Sequence, residues 1–329
     1  RTFLIQIMIM SLSIVSNTTI FSQSQISSKA MKQIITVLLL AILSNTNLLA
    51  QGCSDAGVCS IGGETDSTAT FKNTFEITYT YGIGLEDVKY NNGILGYTHR
   101  WNKQWSGAAQ LSYNQANGNF GTLGNLGDVV LLGRYLSKKT NNKAWVISFG
   151  TKIPLSTGNM KINNIPLPME YQPSLGTVDG LLSLEYRIKK WNFETAFQAP
   201  VVQSNRNSFF DEYSASNVFP TTNLFRRKSD VLIRAGYNWK SKNEKWTFKP
   251  NMMGIYHLGN DTYVDIKGQR QEISNSQGLT INANLTTVFA FNKRDAIELN
   301  LATPLVVRQI RPDGLTRAFV ASLSYNFQF

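Results

Sequence analysis

The chain has 329 residues, 42% of them apolar, 16% charged and 11% aromatic, with a formal net charge of +11. Soluble globular domains carry about a quarter charged residues, and no run of 18 apolar residues is present, which excludes a polytopic helical membrane protein. Two cysteines exclude a disulfide framework or a Cys-rich zinc site, and two histidines, His99 and His257, leave little for a His-based metal centre.

Residues 1–30 begin with Arg1 and read as leader sequence upstream of a start at Met31. From Met31 the chain runs MKQIITVLLLAILSNTNLLAQG: an early Lys32, an apolar stretch from Ile34 to Leu43 and a small-residue exit at Ala50. This is the order of a secretory signal peptide over 31–50, with cleavage expected after Ala50. Export places Cys53 and Cys59 of CSDAGVC in an oxidising compartment, where a small disulfide loop is expected. Segment 51–72 is poor in apolar residues and cannot form its own core, so it is expected to act as a periplasmic cap or inner plug.

From residue 73 onwards one theme repeats: apolar and polar residues alternate, then a turn follows. Phe319, Ala321, Leu323, Tyr325, Phe327 and Phe329 share one face of the last segment, and serines, Asn326 and Gln328 share most of the other. A period of two means strands with unlike faces. Twelve strands are predicted, at 73–83, 90–101, 104–115, 126–137, 143–155, 177–188, 191–203, 229–240, 245–258, 278–291, 295–308 and 315–329. Most are long enough for a tilted bilayer crossing, which takes roughly 9–11 residues.

The connections separate a membrane barrel from a soluble sandwich. Alternate turns are short and cationic, at 102–103, 138–143, 189–190, 241–244 and 292–295, whereas 156–176, 204–228 and 259–277 are long. Trp101, Trp105, Tyr135, Trp145, Tyr186, Trp191, Trp239, Trp246, Phe289 and Phe291 flank the short turns. Sorted loops and an aromatic girdle predict an all-β fold. It is a transmembrane antiparallel up-and-down β-barrel over 73–329, with short periplasmic turns and long extracellular loops. Its expected place is the outer membrane of a Gram-negative bacterium, in contact with outer-membrane lipids.

The charge follows this layout. The short turns hold Lys103, Lys138, Lys139, Lys143, Lys189, Lys190, Lys240, Lys242, Lys245, Lys293 and Arg294 against Glu244 and Asp295. A ring of cations at one rim is no nucleic-acid footprint, so no nucleic-acid partner is expected. The polar strand faces hold Glu76, Asp128, Asp179, Glu185, Glu194, Asp230 and Glu298 with Arg100, Arg134, Lys152, Arg187, Arg234, Lys249 and Arg308. Charges facing lipid cost about 2–4 kcal/mol at mid-membrane. These are therefore expected in the lumen, as a salt-bridge lattice or a polar conduction path.

Three strands share a frame 51 residues apart: DVVLLGRY from Asp128, DGLLSLEY from Asp179 and DVLIRAGY from Asp230. Each opens on an Asp, so the three acids are expected at one height in the lumen. The stretches LGDVVLLGRYLSKK (126–139), FGTKIPLSTGN (149–159) and LGTVDGLLSLEYR (175–187) resemble the outer-membrane barrel family named for the MetA pathway of phenol degradation. That family is related in shape to the long-chain fatty-acid channel. The resemblance implies uptake of small, often hydrophobic compounds; no catalytic residue and no cofactor comes with it.

The functional expectation is a channel or transporter for small molecules. A barrel acting through adhesive loops is the alternative, supported by Phe209, Phe210, Tyr213, Phe219 and Phe225 in 204–228, unless these fold into the mouth as a plug. A barrel enzyme needs a His beside a Ser on the lipid face near the outer rim. His99 lies at the wrong end, and His257 has the phase of the lumen. No catalytic or metal-binding residues are expected. Tyr325, Phe327 and Phe329 form a terminal pattern that resembles the address read by the barrel-assembly machinery.

Overall fold

The computed structural model describes residues 71–84, 87–214, 218–313 and 319–329. The leader, the signal peptide, Cys53, Cys59 and the expected plug up to residue 70 lie outside the described residues. Among the described residues no helix is long and apolar enough to cross a membrane.

Twelve antiparallel strands close on themselves. They are β1 (Asn73–Ile83), β2 (Lys89–Arg100), β3 (Trp105–Gly118), β4 (Gly121–Leu136), β5 (Lys143–Pro154) and β6 (Thr177–Ile188). The ring continues with β7 (Trp191–Gln203), β8 (Asp230–Tyr237), β9 (Trp246–His257), β10 (Gly278–Ala290), β11 (Asp295–Val306) and β12 (Phe319–Gln328). Each strand pairs with its sequence neighbours, and β1 pairs with β12 from Thr74↔Gln328 to Ile83↔Phe319. Closure leaves no open edge, which is what a sheet in lipid requires.

The two faces differ as the alternation demands. Ile77, Tyr79, Leu95, Leu131, Phe149, Leu182, Phe197, Ile233 and Leu323 project outward and are exposed. Thr78, Thr80, Asn92, Ser148, Ser183, Asn282 and Ser324 point inward and are buried. At the short-turn end the aromatics pair across strands. Trp105 meets Tyr135 at 5.0 Å, Trp145 meets Tyr186 at 4.6 Å, Trp191 meets Tyr237 at 4.9 Å and Trp246 meets Phe289 at 4.7 Å between ring centroids. An apolar outer belt, a polar interior and an aromatic girdle define the outer-membrane type of barrel. Leu182→Arg, at the middle of the belt, should therefore destabilise the barrel by about 2–4 kcal/mol in reversible urea unfolding from lipid vesicles. A loss below about 1 kcal/mol would place this face outside the hydrocarbon.

The strands differ from the sequence expectation chiefly at the long-loop end. β3 and β4 run past the expected limits 115 and 126 and meet at a two-residue turn, Asn119-Phe120, after a bulge between Leu111 and Tyr113. Beyond the lipid a strand needs no apolar outer face, so this extension lacks the alternation that marks the rest. Strand β8 breaks at Asn238 and resumes over Trp239–Lys240. The long loop 155–176 holds a small hairpin, Lys161–Ile162 with Ile165–Pro166, turned by Asn163 and Asn164 in the left-handed region (φ 50° and 65°). Asn tolerates that conformation better than most residues.

Candidate functional site

The alternation that makes strands also stacks the lumen in tiers. Along β4 the inward residues run Asp128, Val130, Leu132, Arg134; along β6 Asp179, Leu181, Ser183, Glu185; along β8 Asp230, Leu232, Arg234. Each strand therefore presents an acid near the long-loop end, an apolar middle and charge towards the short turns.

The upper tier is a continuous ion-pair network. Lys152 of β5 reaches Asp179 at 3.1 Å and Asp128 at 3.7 Å. Arg227, from the loop after β7, reaches Asp313 at 3.2 Å and Asp179 at 3.6 Å and pairs closely with Asp230. The three repeat-frame acids are thus joined in the order Asp128, Lys152, Asp179, Arg227, Asp230. Gln198 donates to Asp179, and Arg308 pairs with Asp313 while donating to the Ser276 carbonyl at 2.6 Å. His257 sits between Asp230, 2.6 Å from Nδ1, and Asp261, 2.8 Å from Nε2. Arg227, Asp179, His257 and Asp261 are fully buried. Burial opposes the Arg227 charge, but Asp230, Asp313 and Asp179 together hold its pKa above the ordinary value. Burial likewise opposes ionised Asp313, and Arg308 and Arg227 overcome it, holding the carboxyl below the usual range.

Below this tier Val130, Leu132, Leu181, Ala196, Leu232 and Met253 form an apolar band. Beneath the band Arg234 bonds Glu194 at 3.0 Å, Arg187 grips Glu185 through two contacts of 2.9 Å, and Arg134 lies 3.4 Å from Ser148. The opposite wall carries neutral polar pairs: Thr78 with Ser324 at 2.7 Å, Thr80 with Ser322 at 2.8 Å, Asn284 with Asn251 at 2.9 Å. Of the remaining sequence-predicted charges, Glu76 accepts a bond from Thr78 at 2.7 Å. Arg100, Lys249 and Glu298 are half-buried towards the short-turn end.

Described parts of the long loops pack into the mouth. Leu167, Tyr171, Phe209 and Phe219 pack on the inward residues Val88, Tyr90, Ala116 and Leu123, with Phe120 against them. A second cluster joins Met169, Leu175, Phe225 and Ile273. Asn207, fully buried, stitches the loops by donating to the carbonyls of Gly158 at 2.8 Å and Leu167 at 2.9 Å and accepting from Thr222 at 2.9 Å. Most of the inward-packed loop residues come from the loops between β5 and β6 and between β7 and β8. Phe209, Phe219 and Phe225 are turned inward and Phe210 is half-buried, leaving Tyr213 as the exposed aromatic of the five. The aromatic support for adhesive loops is therefore largely withdrawn, because burying rings in the mouth removes them from water.

Sequence reasoning missed Arg227, Asp261 and Asp313. All three lie in loops, where no periodicity assigns a face. Asp230, His257 and Asp313 bring one potential ligand atom each within 4.8 Å. Both carboxylates are already engaged by Arg227, and Asp313 by Arg308 as well, so the trio is an ion-paired latch. Neither histidine has a serine hydroxyl among its partners in the described residues; His99 bonds Asn73 at 2.8 Å. Tyr325, Phe327 and Phe329 lie at the short-turn end of β12, with Phe327 and Phe329 stacked at 5.6 Å.

No family model matches the sequence, and no curated protein matches it. Solved structures of similar outline are outer-membrane barrels. The KdgM porin in complex with disordered oligogalacturonate is 8% identical, with 78% of this chain and 99% of that one covered at a TM-score of 0.42. The NanC porin is 10% identical over 78% and 98% of the two chains, also at 0.42. The translocator domain of the autotransporter NalP from Neisseria meningitidis is 7% identical over 92% and 96%, at 0.41. At these scores the barrel stands on its own closed sheet, girdle and outer belt.

Proposed function

We propose that the protein is a gated outer-membrane channel or transporter that admits small molecules when its loop plug is displaced. The carrying observation is the latch. Arg227, from a plug loop, is held by wall acids Asp179 and Asp230 and by Asp313 of another loop. A purely structural wall has no need to bury an arginine from a loop among three acids. The tiers beneath are polar and charged around an apolar band, a lining suited to small amphipathic solutes. The motifs that resemble the MetA-pathway barrels support the same reading. The signal peptide over 31–50 supports delivery to the outer membrane.

The test is conductance in a planar bilayer. The native barrel should be mostly closed, and replacing 206–224 by a short Gly-Ser linker should give sustained open steps. A linker variant that assembles and stays silent would exclude a channel gated by this plug.

The terminal residues support insertion by the barrel-assembly machinery. Deleting Phe329 should lower the heat-modifiable, assembled fraction severalfold without lowering export to the periplasm. Normal assembly of the deletion would remove these residues from that role.

A further inference from the structure

The outer wall is not uniform. Between β2 and β7 it carries an apolar groove of about 780 Å³, within the roughly 300–1,000 Å³ of small-molecule pockets. Register explains its depth. Ala109, Leu131, Thr151, Gly180 and Ala199 fall in one row across five strands, so four of the five side chains are small. In the next row the Trp101 ring lies over Gly107 and the Phe149 ring over Gly133. A Cβ at either glycine would stand 2.6 Å from the ring above it. Large side chains are laid flat there, and the wall is lowered between them.

A second observation concerns the rim below the same six strands. The short turns joining β2 to β3, β4 to β5 and β6 to β7 carry Lys103, Lys138, Lys139, Lys143, Lys189 and Lys190 and no acid. All six are exposed, and none is ion-paired among the described residues. The other two short turns carry Glu244 and Asp295 beside their cations. The rim therefore carries six cations and no acid on the side under the groove, against five cations and two acids over the other two short turns.

We propose that the groove is a binding site for an anionic phospholipid of the leaflet at the short-turn end. One acyl chain lies over Ala109, Gly180 and Ala199, and the phosphate meets the lysines of the turns beneath. Basic clusters beside a membrane-spanning wall select anionic head groups in this way. The inference goes beyond the proposed channel function and does not depend on whether the lumen conducts.

The test uses the intact barrel in detergent with added phosphatidylglycerol or phosphatidylcholine, the retained lipid being counted by native mass spectrometry. Phosphatidylglycerol should be retained in preference, with each lysine contributing up to about fivefold at low salt. Replacing Lys103, Lys138 and Lys139 by Gln should lower that preference by about tenfold or more while phosphatidylcholine retention stays as it was. Ala109→Leu with Ala199→Leu, which fills the floor with side chains that belong in lipid, should reduce retention of both lipids. Heat-modifiable migration establishes that each variant is folded. Equal retention of the two lipids by the native barrel would overturn the proposal, as would full retention by the filled groove. A dimer abolished by the filling substitutions would give the groove to a second copy and overturn it equally.

Discussion

Arg227→Ala should open the barrel. The substitution leaves Asp179, Asp230 and Asp313 facing one another in a region where Arg227 now contacts all three. Removing one member of a buried ion pair costs about 3–5 kcal/mol, because the remaining charge stays out of water. The strand ladder does not depend on Arg227, whereas the position of loop 204–229 does. The least costly relief is to release that loop and hydrate the acids. The expected result is a large rise in open-state conductance and in sensitivity to bulky antibiotics, with unchanged heat-modifiable migration. Arg206→Ala, which removes the same charge from an exposed site in the same loop, should change neither. Arg227→Lys should fall between, since a point charge cannot serve three carboxylates as a guanidinium fork does. Closed behaviour of a well-assembled Arg227→Ala barrel would separate the latch from gating.

The barrel was legible because its information is local. Alternation assigns each strand residue a face, and the cationic turns mark where each hairpin ends. The Asp128, Asp179 and Asp230 frame could be read as one tier for the same reason, as could the lumen phase of His257. Lys152, which joins Asp128 to Asp179, shares that phase, but the group that joins Asp179 to Asp230 was not legible. Arg227 stands in the run Arg226-Arg227-Lys228, which by composition reads as a solvated charge cluster, yet its partner Asp313 lies 86 residues away. Loop residues have no period, so nothing in the sequence says that Arg227 turns inward while Arg226 and Lys228 do not. The same limit applies to Phe209, Phe219 and Phe225: their apolar character calls for burial, but the first two are received by a wall from β2, β3 and β4 and Phe225 by the loop residues Met169, Leu175 and Ile273.

The plug should also loosen as pH rises, through Glu170. The short 3₁₀ turn Met169–Tyr171 places this residue between the two apolar clusters of the plug. Met169 belongs to one cluster and Tyr171 to the other. Glu170 is buried, and its Oε2 has no hydrogen-bond partner among the described residues. Burial, with a smaller contribution from Asp313, pushes its pKa up to about 8 from an ordinary 4.5. An acid whose pKa is raised by docking favours the docked state while it holds its proton. That contribution is complete below pH 4.5, declines as pH rises and is gone above about 8. At about 1.4 kcal/mol per pKa unit, the span amounts to something on the order of 5 kcal/mol. Asp261, whose pKa burial also raises, acts in the same direction. Asp313 acts in the opposite one: Arg308 and Arg227 outweigh its burial and hold it ionised, so its support is lost as pH falls below its ordinary 3.8. Closure should therefore be tightest near pH 4.5 and open probability should climb towards pH 8.5. Glu170→Gln keeps the shape and removes the titration. In bilayer recordings it should lower by one the number of protons released on opening, and it should hold the barrel more closed at pH 8. An unchanged proton count in that variant would take Glu170 out of the gate.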